Sequence, residues 1–279
     1  MGSMEFPIDR VATHGHYQIR TARAPYPKQK LPPNGLSVIM PTYNRAENLV
    51  KAIESISRQN ECWLPVEIIV VNDGSTDHTA RLFEVGFNTP EWLSIKYLET
   101  GIDAWTSPAN SYNLGFKYAT YNYLVHSGAD IVWARKDMLN ALVTACDIDR
   151  YLIVDYWVLD VGNRPDVDVF NYIDHAKQGT TTLYPWCIVT SKVALEKIGY
   201  YSDDFKAGAG EDDAFILELA TIGIKFCRVE GQSVVNQEHK KQYVRDLQWK
   251  ANTQHNVNVG FRRAAELRRK IAHGEIEKF

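Results

Sequence analysis

Residues 208–216 read Gly-Ala-Gly-Glu-Asp-Asp-Ala-Phe-Ile, so three adjacent carboxylates, Glu211, Asp212 and Asp213, stand behind two glycines at the mouth of an apolar helix. Phe215, Ile216, Leu219 and Ile222 recur at helical spacing, and Gly223 follows as a stop. A helix dipole favours acids in its first turn by roughly 0.3–1 kcal/mol each. That accounts for one or two of them without any chemistry. The chemistry open to the cluster is proton abstraction. A carboxylate within hydrogen-bond reach of a hydroxyl takes its proton when its pKa suits the pH, and adjacent acids raise one another's pKa.

Such a group needs a scaffold that brings a substrate to it. Leu36 to Met40 is an apolar run of strand length, broken by Pro41-Thr42-Tyr43-Asn44-Arg45. Asn44 with Glu47 forms a capping-box-like start for a helix carrying Leu49, Ile53 and Ile56. Glu67 to Val71 reads as a second buried strand, followed by the turn Asp73-Gly74-Ser75-Thr76-Asp77 and another helix, and Ser94 to Leu98 reads as a third strand. Strands alternating with helices predict parallel βαβ units, with ligands outside the carboxyl ends of the strands. Further on, one helix is expected from Pro108 to about His126, strands at 130–134, 151–157 and 184–189, a loop over 160–182 and a helix over 191–198. Phe261 to Lys270 is expected as a basic helix, its Arg262, Arg263, Arg268, Arg269 and Lys270 forming a solvated face, with a membrane-surface or acceptor-binding patch as the alternative. Residues 5–35 are polar and punctuated by prolines, an extended arm, and residues 1–3 read as a vector-derived remnant.

The chain has 279 residues, 45% hydrophobic and 23% charged, a globular balance able to bury a sizeable core. A net charge of -3 gives no global field for nucleic acid, which as a partner would need a local basic patch. Cys62, Cys146, Cys187 and Cys227 are scattered with no CxxC pair, which argues against a zinc site and a disulfide framework and fits a reducing cytosol. No apolar run approaches the roughly 18 residues of a membrane span, and no signal peptide is visible. The expected location is the cytoplasm, peripheral association with a membrane being the variant.

The strand-end loops narrow the chemistry. The first lacks G-x-G-x-x-G and G-x-x-x-x-G-K-[ST], which disfavours dinucleotide dehydrogenases and P-loop enzymes. Asp73 at a strand tip can accept hydrogen bonds from a ring N–H or ribose hydroxyls, and Gly74 permits the tight turn. Asp73-Gly74-Ser75 alone is commonly just a turn with a helix cap.

In combination, Ser37 to Leu49 (SVIMPTYNRAENL) and Glu67 to Asp77 (EIIVVNDGSTD) strongly resemble the opening of the family 2 glycosyltransferases. Asn113-Leu114-Gly115 with Ala119 is similar to the family's later N-x-G…A segment, and the Glu211-Asp212 pair falls where the family carries its acidic base motif. The resemblance covers roughly residues 36–240. It implies an α/β GT-A fold, a single domain with a central mixed, mostly parallel sheet flanked by helices. Residues 36–137 would form the nucleotide-sugar half and 138–240 the acceptor and catalytic half, between an arm at 1–35 and a helical extension at 241–279. It implies transfer of a sugar from a nucleotide-diphosphate donor, usually UDP-linked, to an acceptor hydroxyl with inversion. Asp73 would contact the base, and Pro41, Thr42, Tyr43, Arg45, Gly74 and Asn113 would line the nucleotide pocket. Asp212 would be the base, Glu211 would orient the acceptor, and Asp213 would cap the helix or touch the acceptor. Trp186 is a candidate face for sugar stacking. The acceptor, whether glycan, lipid carrier, protein or modified nucleic-acid base, stays open.

One departure concerns the metal. The family usually carries D-x-D at a strand end, where aspartate helps hold a divalent cation against the diphosphate. Here Arg135-Lys136-Asp137 is preferred for that place, because an apolar strand must precede the motif; Gly128-Ala129-Asp130 is the other register. A diphosphate leaving group must be neutralised by metal or by cationic side chains. By the resemblance, Asp137 and His239 would hold Mn2+ or Mg2+, the histidine tilting preference to Mn2+. Arg135 or Lys136 partly replacing the metal is the alternative. Two rival readings are a catalytically silent glycan- or nucleotide-binding relative, against which the intact Glu211-Asp212 speaks, and a sugar-nucleotide pyrophosphorylase, whose glycine-rich signature is missing.

Overall fold

The first apolar runs become strands buried on both faces, β2 (Leu36–Thr42) beside β3 (Val66–Asn72), followed by β4 (Leu93–Glu99), whose burial alternates, with a two-residue β1 (Tyr17–Gln18) outside β4. The computed structural model describes residues 17–18, 34–101, 107–159, 166–179, 187–207, 209–237 and 247–279. Helix α1 (Ala46–Ser57) follows β2, α2 (Thr79–Val85) follows β3, and α3 (Pro108–Tyr118) follows β4. Then come β5 (Tyr123–Ser127), β6 (Ile131–Trp133), α4 (Met138–Ala145) and β7 (Arg150–Leu159). A 3-10 helix over Val169–His175 leads to β8 (Ala176–Gln178), β9 (Cys187–Ser191), α5 (Lys192–Ile198), α6 (Glu211–Thr221), β10 (Lys225–Asn236) and α7 (Leu247–Ala272).

These strands make one mixed sheet in the order β1-β4-β3-β2-β5-β9-β7-β10-β6, with β8 paired to β7. Strands β1 through β5 in that order pair in parallel, β9 is antiparallel to β5 and β7, β10 runs parallel to β7, and β6 is antiparallel to β10. Leu36, Val38 and Met40 point into a core with α1 and α4, where Leu49, Ile53, Leu139 and Leu142 pack. Ile39, Ile69 and Val71 point to the opposite core, filled by Phe116, Leu195, Phe215 and Val259. Burial on both faces explains why these strands read as continuous apolar runs rather than alternating ones.

Three local expectations change. The helix from Pro108 ends at Tyr118, Ala119 turns extended, and Tyr123–Ser127 is a central strand between β2 and β9. Tertiary pairing overrides helical continuity there, and Lys192 secures the break by donating from its amide to Asn122 O and from Nζ to Ala119 O. Strand β2 also continues through Pro41 and Thr42, opposite Val71 and Asn72. Finally, α4 and β10 were not anticipated, and the C-terminal helix begins at Leu247, well before Phe261.

Candidate active site

Strands β2, β3, β4 and β5 are parallel, so their carboxyl ends share one edge of the sheet, and the loops there lock to one another. Asp73 N donates to Thr42 O (2.9 Å) and Thr100 N to Asn72 O (3.0 Å). Asn44, at φ 53°, accepts through Oδ1 from the amides of Thr76 (2.7 Å) and Asp77 (3.2 Å), and its own amide donates to Ser75 Oγ (2.9 Å). Asp77 accepts from Ala46 N at 3.0 Å and so caps α1 from the neighbouring loop. The expected Asn44–Glu47 capping box is therefore replaced, with Arg45 at the N-cap position making no side-chain cap bond. Burial raises the Asp77 carboxyl, yet hydrogen bonds from Thr79 and Ala46 prevail and hold it below its ordinary value. Asp73 is 2% exposed, and Thr100 Oγ1 donates to its Oδ1 at 3.1 Å. Gly74 makes the expected turn at φ 78°. Pro41 and Tyr43 are half-buried, whereas Thr42 is buried with its Oγ1 lacking a hydrogen-bond partner among the described residues.

The β5 tip carries Gly128-Ala129-Asp130, and Asp130 is a node. Arg45 Nη1 lies 3.0 Å from Asp130 Oδ2, Asn236 Nδ2 donates to the same oxygen at 3.3 Å, and Gln237 N donates to Asp130 O at 2.8 Å. Asp137 lies elsewhere. It follows β6 at the start of α4, exposed, accepting from Gln232 Nε2 at 3.3 Å. Arg135 and Lys136 are exposed too, and Lys136 Nζ stands 5.2 Å from the Phe170 ring centre. The apolar strand expected before Arg135-Lys136-Asp137 is present as β6, but it lies at the far end of the sheet, antiparallel to β10, whereas Gly128-Ala129-Asp130 follows β5 at the shared strand edge. Among the described residues no three of His, Cys, Asp and Glu gather into a metal cluster. Asp130 offers a hard carboxylate donor, which fits Mn2+ or Mg2+ when diphosphate oxygens complete the shell. His239 lies outside the described residues, as does Trp186.

The acidic triplet opens α6. Glu211 is 7% exposed, with Oε2 lacking a hydrogen-bond partner among the described residues; Asp212 is half-buried, and Asp213 exposed. Burial raises the pKa of both Glu211 and Asp212, and the neighbouring carboxylates, Asp212 for Glu211 and Asp213 for Asp212, add to it. Tyr112, Tyr151 and Tyr201 are buried, which raises their hydroxyls, and the charge of Asp212 raises all three further. Tyr112 also feels Asp130 and Arg45. A single tyrosine on α3 thus stands within electrostatic reach of both the β5 tip and the α6 mouth. Beneath it, His126 lies among Tyr112, Phe116 and Phe215 at ring separations of 4.8–5.1 Å, and burial pushes its pKa down to about 3. This ring is a neutral part of the core.

Asn113 does not face the strand edge as a free ligand. Its Nδ2 donates to Tyr201 O (2.9 Å) and its Oδ1 accepts from Tyr201 N (3.1 Å), so the amide bridges α3 to the segment after α5. Gly115 has a packing reason, since a Cβ there would meet Ile39 Cγ2 at 2.2 Å. The basic helix presents the expected solvated face at Arg262, Arg268 and Arg269, which are exposed, but Arg263 is drawn inward. Arg263 pairs with buried Glu218 at 2.8 Å and donates to the carbonyls of Ile198 and Tyr200, while Arg269 pairs with Glu266 and Glu275. No helix among the described residues is long and apolar enough to cross a membrane. Asp130 was legible as the second register; Tyr112 was not, because one tyrosine in an amphipathic helix carries no chemical signal.

Comparison with known proteins agrees with the fold. A family profile described as "Glycosyl transferase family 2" matches residues 37–207. Chondroitin synthase of Escherichia coli is 25% identical over 263 residues, covering 76% of this chain and 36% of that protein. The chain spans 24–61% of the length of the first curated relatives it matches. S. aureus TarS residues 1–349 in complex with UDP-GlcNAc superposes with a TM-score of 0.60 at 17% identity, over 85% of this chain and 73% of that 1–349 fragment. The mannosyltransferase PcManGT of Pyrobaculum calidifontis, in complex with GDP-Man and Mn2+, does so with a TM-score of 0.53 at 20% identity, over 86% and 76%. Both share the fold, a mixed sheet flanked by helices, and with a profile match across more than half of its residues this chain belongs to glycosyl transferase family 2.

Proposed function

We propose that this chain transfers a sugar from a nucleotide-diphosphate donor to an acceptor hydroxyl, with Asp212 as the base. The observation that carries it is the shared strand edge, where the Thr42 and Asp73 loops are hydrogen-bonded to each other and Arg45 pairs with Asp130 at 3.0 Å. The nucleotide lies along the carboxyl ends of β2 to β4, its base toward Asp73 and its remaining contacts from Pro41, Thr42, Tyr43 and Gly74. Thr42 Oγ1, buried at this edge with no partner among the described residues, is available to hydrogen-bond the nucleotide. UDP-sugars are the first donors to test, on family likeness. TarS was solved with UDP-GlcNAc and PcManGT with GDP-Man, so a guanosine donor is the comparison.

The diphosphate end meets Arg45 and Asp130. A divalent cation, Mn2+ by analogy with PcManGT, would neutralise the leaving diphosphate there, with Asp130 rather than Asp137 as the carboxylate that holds it. Arg45 brings a fixed positive charge to the same point, and Arg135 and Lys136 have no part. Asp212 takes the proton of the acceptor hydroxyl while its oxygen forms a bond to the anomeric carbon. The bond from that carbon to the diphosphate oxygen breaks, and its electron pair leaves with the nucleotide. Attack from the face opposite the diphosphate inverts the centre. A raised proton affinity suits Asp212 to this task. Glu211, buried beside Asp212 with its Oε2 lacking a partner among the described residues, orients the acceptor, and exposed Asp213 contacts it. The test is nucleotide release from UDP- and GDP-sugars with and without Mn2+ and a chelator. Binding without turnover for every donor would favour the silent relative instead.

A further inference from the structure

Helix α7 lies beyond the residues matched by the family profile, yet one face of it grips the loop that delivers Asp212. Asn256 is fully buried and spends its amide on that loop. Its Oδ1 accepts from Lys206 N at 2.9 Å, and its Nδ2 donates to Lys206 O at 2.9 Å and to Ala209 O at 3.1 Å. One helical turn earlier, Thr253 Oγ1 accepts from Ala209 N at 3.0 Å, and Asn252 Nδ2 donates to Ala207 O at 2.8 Å. Next comes Gly210 at φ 94°, where a Cβ would stand 3.0 Å from Val257 Cγ2 and 3.2 Å from Thr253 O. One turn beyond Asn256, Gly260 lies so close to α6 that a Cβ would meet Ala214 Cβ at 2.4 Å.

The geometry points to Asn256, seconded by Thr253, as a positioning residue that sets the location of Asp212 through the backbone of Lys206 and Ala209. This rests on the reading of Asp212 as the base. A helix N-terminus preceded by irregular chain has no ladder to fix it, so its carboxylate is only as well placed as the side chains that hold the loop. Displacing a reacting group by about 1 Å costs on the order of a hundredfold in rate while leaving substrate binding intact. A residue that merely supports the fold would lower stability without that selective loss.

The test uses the full chain with Asn256→Ala and the milder Thr253→Val, and Thr253→Ser as the conservative control. Amide hydrogen exchange at residues 209–214 and nucleotide release from UDP-GlcNAc and GDP-mannose are measured well below each variant's melting temperature. Exchange at 209–214 should rise about tenfold or more, with β2 and β3 unchanged. The kcat should fall about tenfold or more at an unchanged donor KM, and Thr253→Ser should retain both. Folded variants whose exchange at 209–214 stays at the wild-type level overturn the proposal, and so does a kcat that stays there. Asp212→Asn separates the two ideas. If it loses turnover while Asn256→Ala and Thr253→Val keep it, only the positioning role falls; if it keeps turnover, the base reading itself falls.

Discussion

Arg45 Nη1 stands 3.0 Å from Asp130 Oδ2, joining the start of α1 to the tip of β5 across 85 residues of sequence. The pair puts a fixed cation and a carboxylate together at the strand edge where a diphosphate would lie. Asp130→Asn is expected to lower donor turnover about a hundredfold or more and to blunt its response to added Mn2+, while Asp137→Asn stays within about threefold of wild type. Initial rates against metal concentration check both, and the reverse ranking would restore the Asp137 register.

The acidic mouth of α6 should appear in the pH dependence of stability. Burial holds the Glu211 and Asp212 carboxyls above their ordinary pKa values. The native state therefore keeps protons that the unfolded chain releases above about pH 4. The penalty is absent at acid pH and grows as pH rises toward neutrality, so this pair makes stability fall with rising pH. Glu211→Gln is expected to flatten the fall and to gain roughly 1–3 kcal/mol at pH 8 relative to pH 5. Urea denaturation at the two pH values measures it, and an unchanged slope would show the carboxyls titrating normally.

Asn113 offers a test between ligand and bridge. Because both ends of its amide are spent on the Tyr201 backbone, Asn113→Ala is expected to cost about 1–3 kcal/mol of stability by orphaning buried groups. The affinity of the folded variant for UDP or GDP should not change. A selective loss of nucleotide affinity at full stability would return Asn113 to the pocket.

The strands buried on both faces were the easiest part to read. The runs at 36–40, 67–71 and 94–98 gained one or two residues at one or both ends; in the first two, double-sided burial demands near-continuous apolar residues, while the third alternates. Strand β5 was missed because no glycine or proline separates Tyr118 from Tyr123, and only pairing with β2 and β9 makes it a strand. With β5 hidden, Gly128-Ala129-Asp130 had no visible strand before it, and Arg135-Lys136-Asp137 was preferred. The Asn44 cap failed for a similar reason, since Asp77 supplies the cap from a loop more than thirty residues away. The acidic triplet was legible by composition, but its setting among Tyr112, Tyr151 and Tyr201 and its support from Asn256 are long-range and leave no local pattern.

The most direct measurement of sugar transfer at this site is nucleotide release from a UDP- or GDP-sugar by wild type and Asp212→Asn, with nucleotide affinity measured on the same samples. Turnover is expected to fall about 100- to 10,000-fold in the variant, as for loss of a general base, while affinity for the nucleotide is unchanged. Turnover by Asp212→Asn at the wild-type rate would contradict the account.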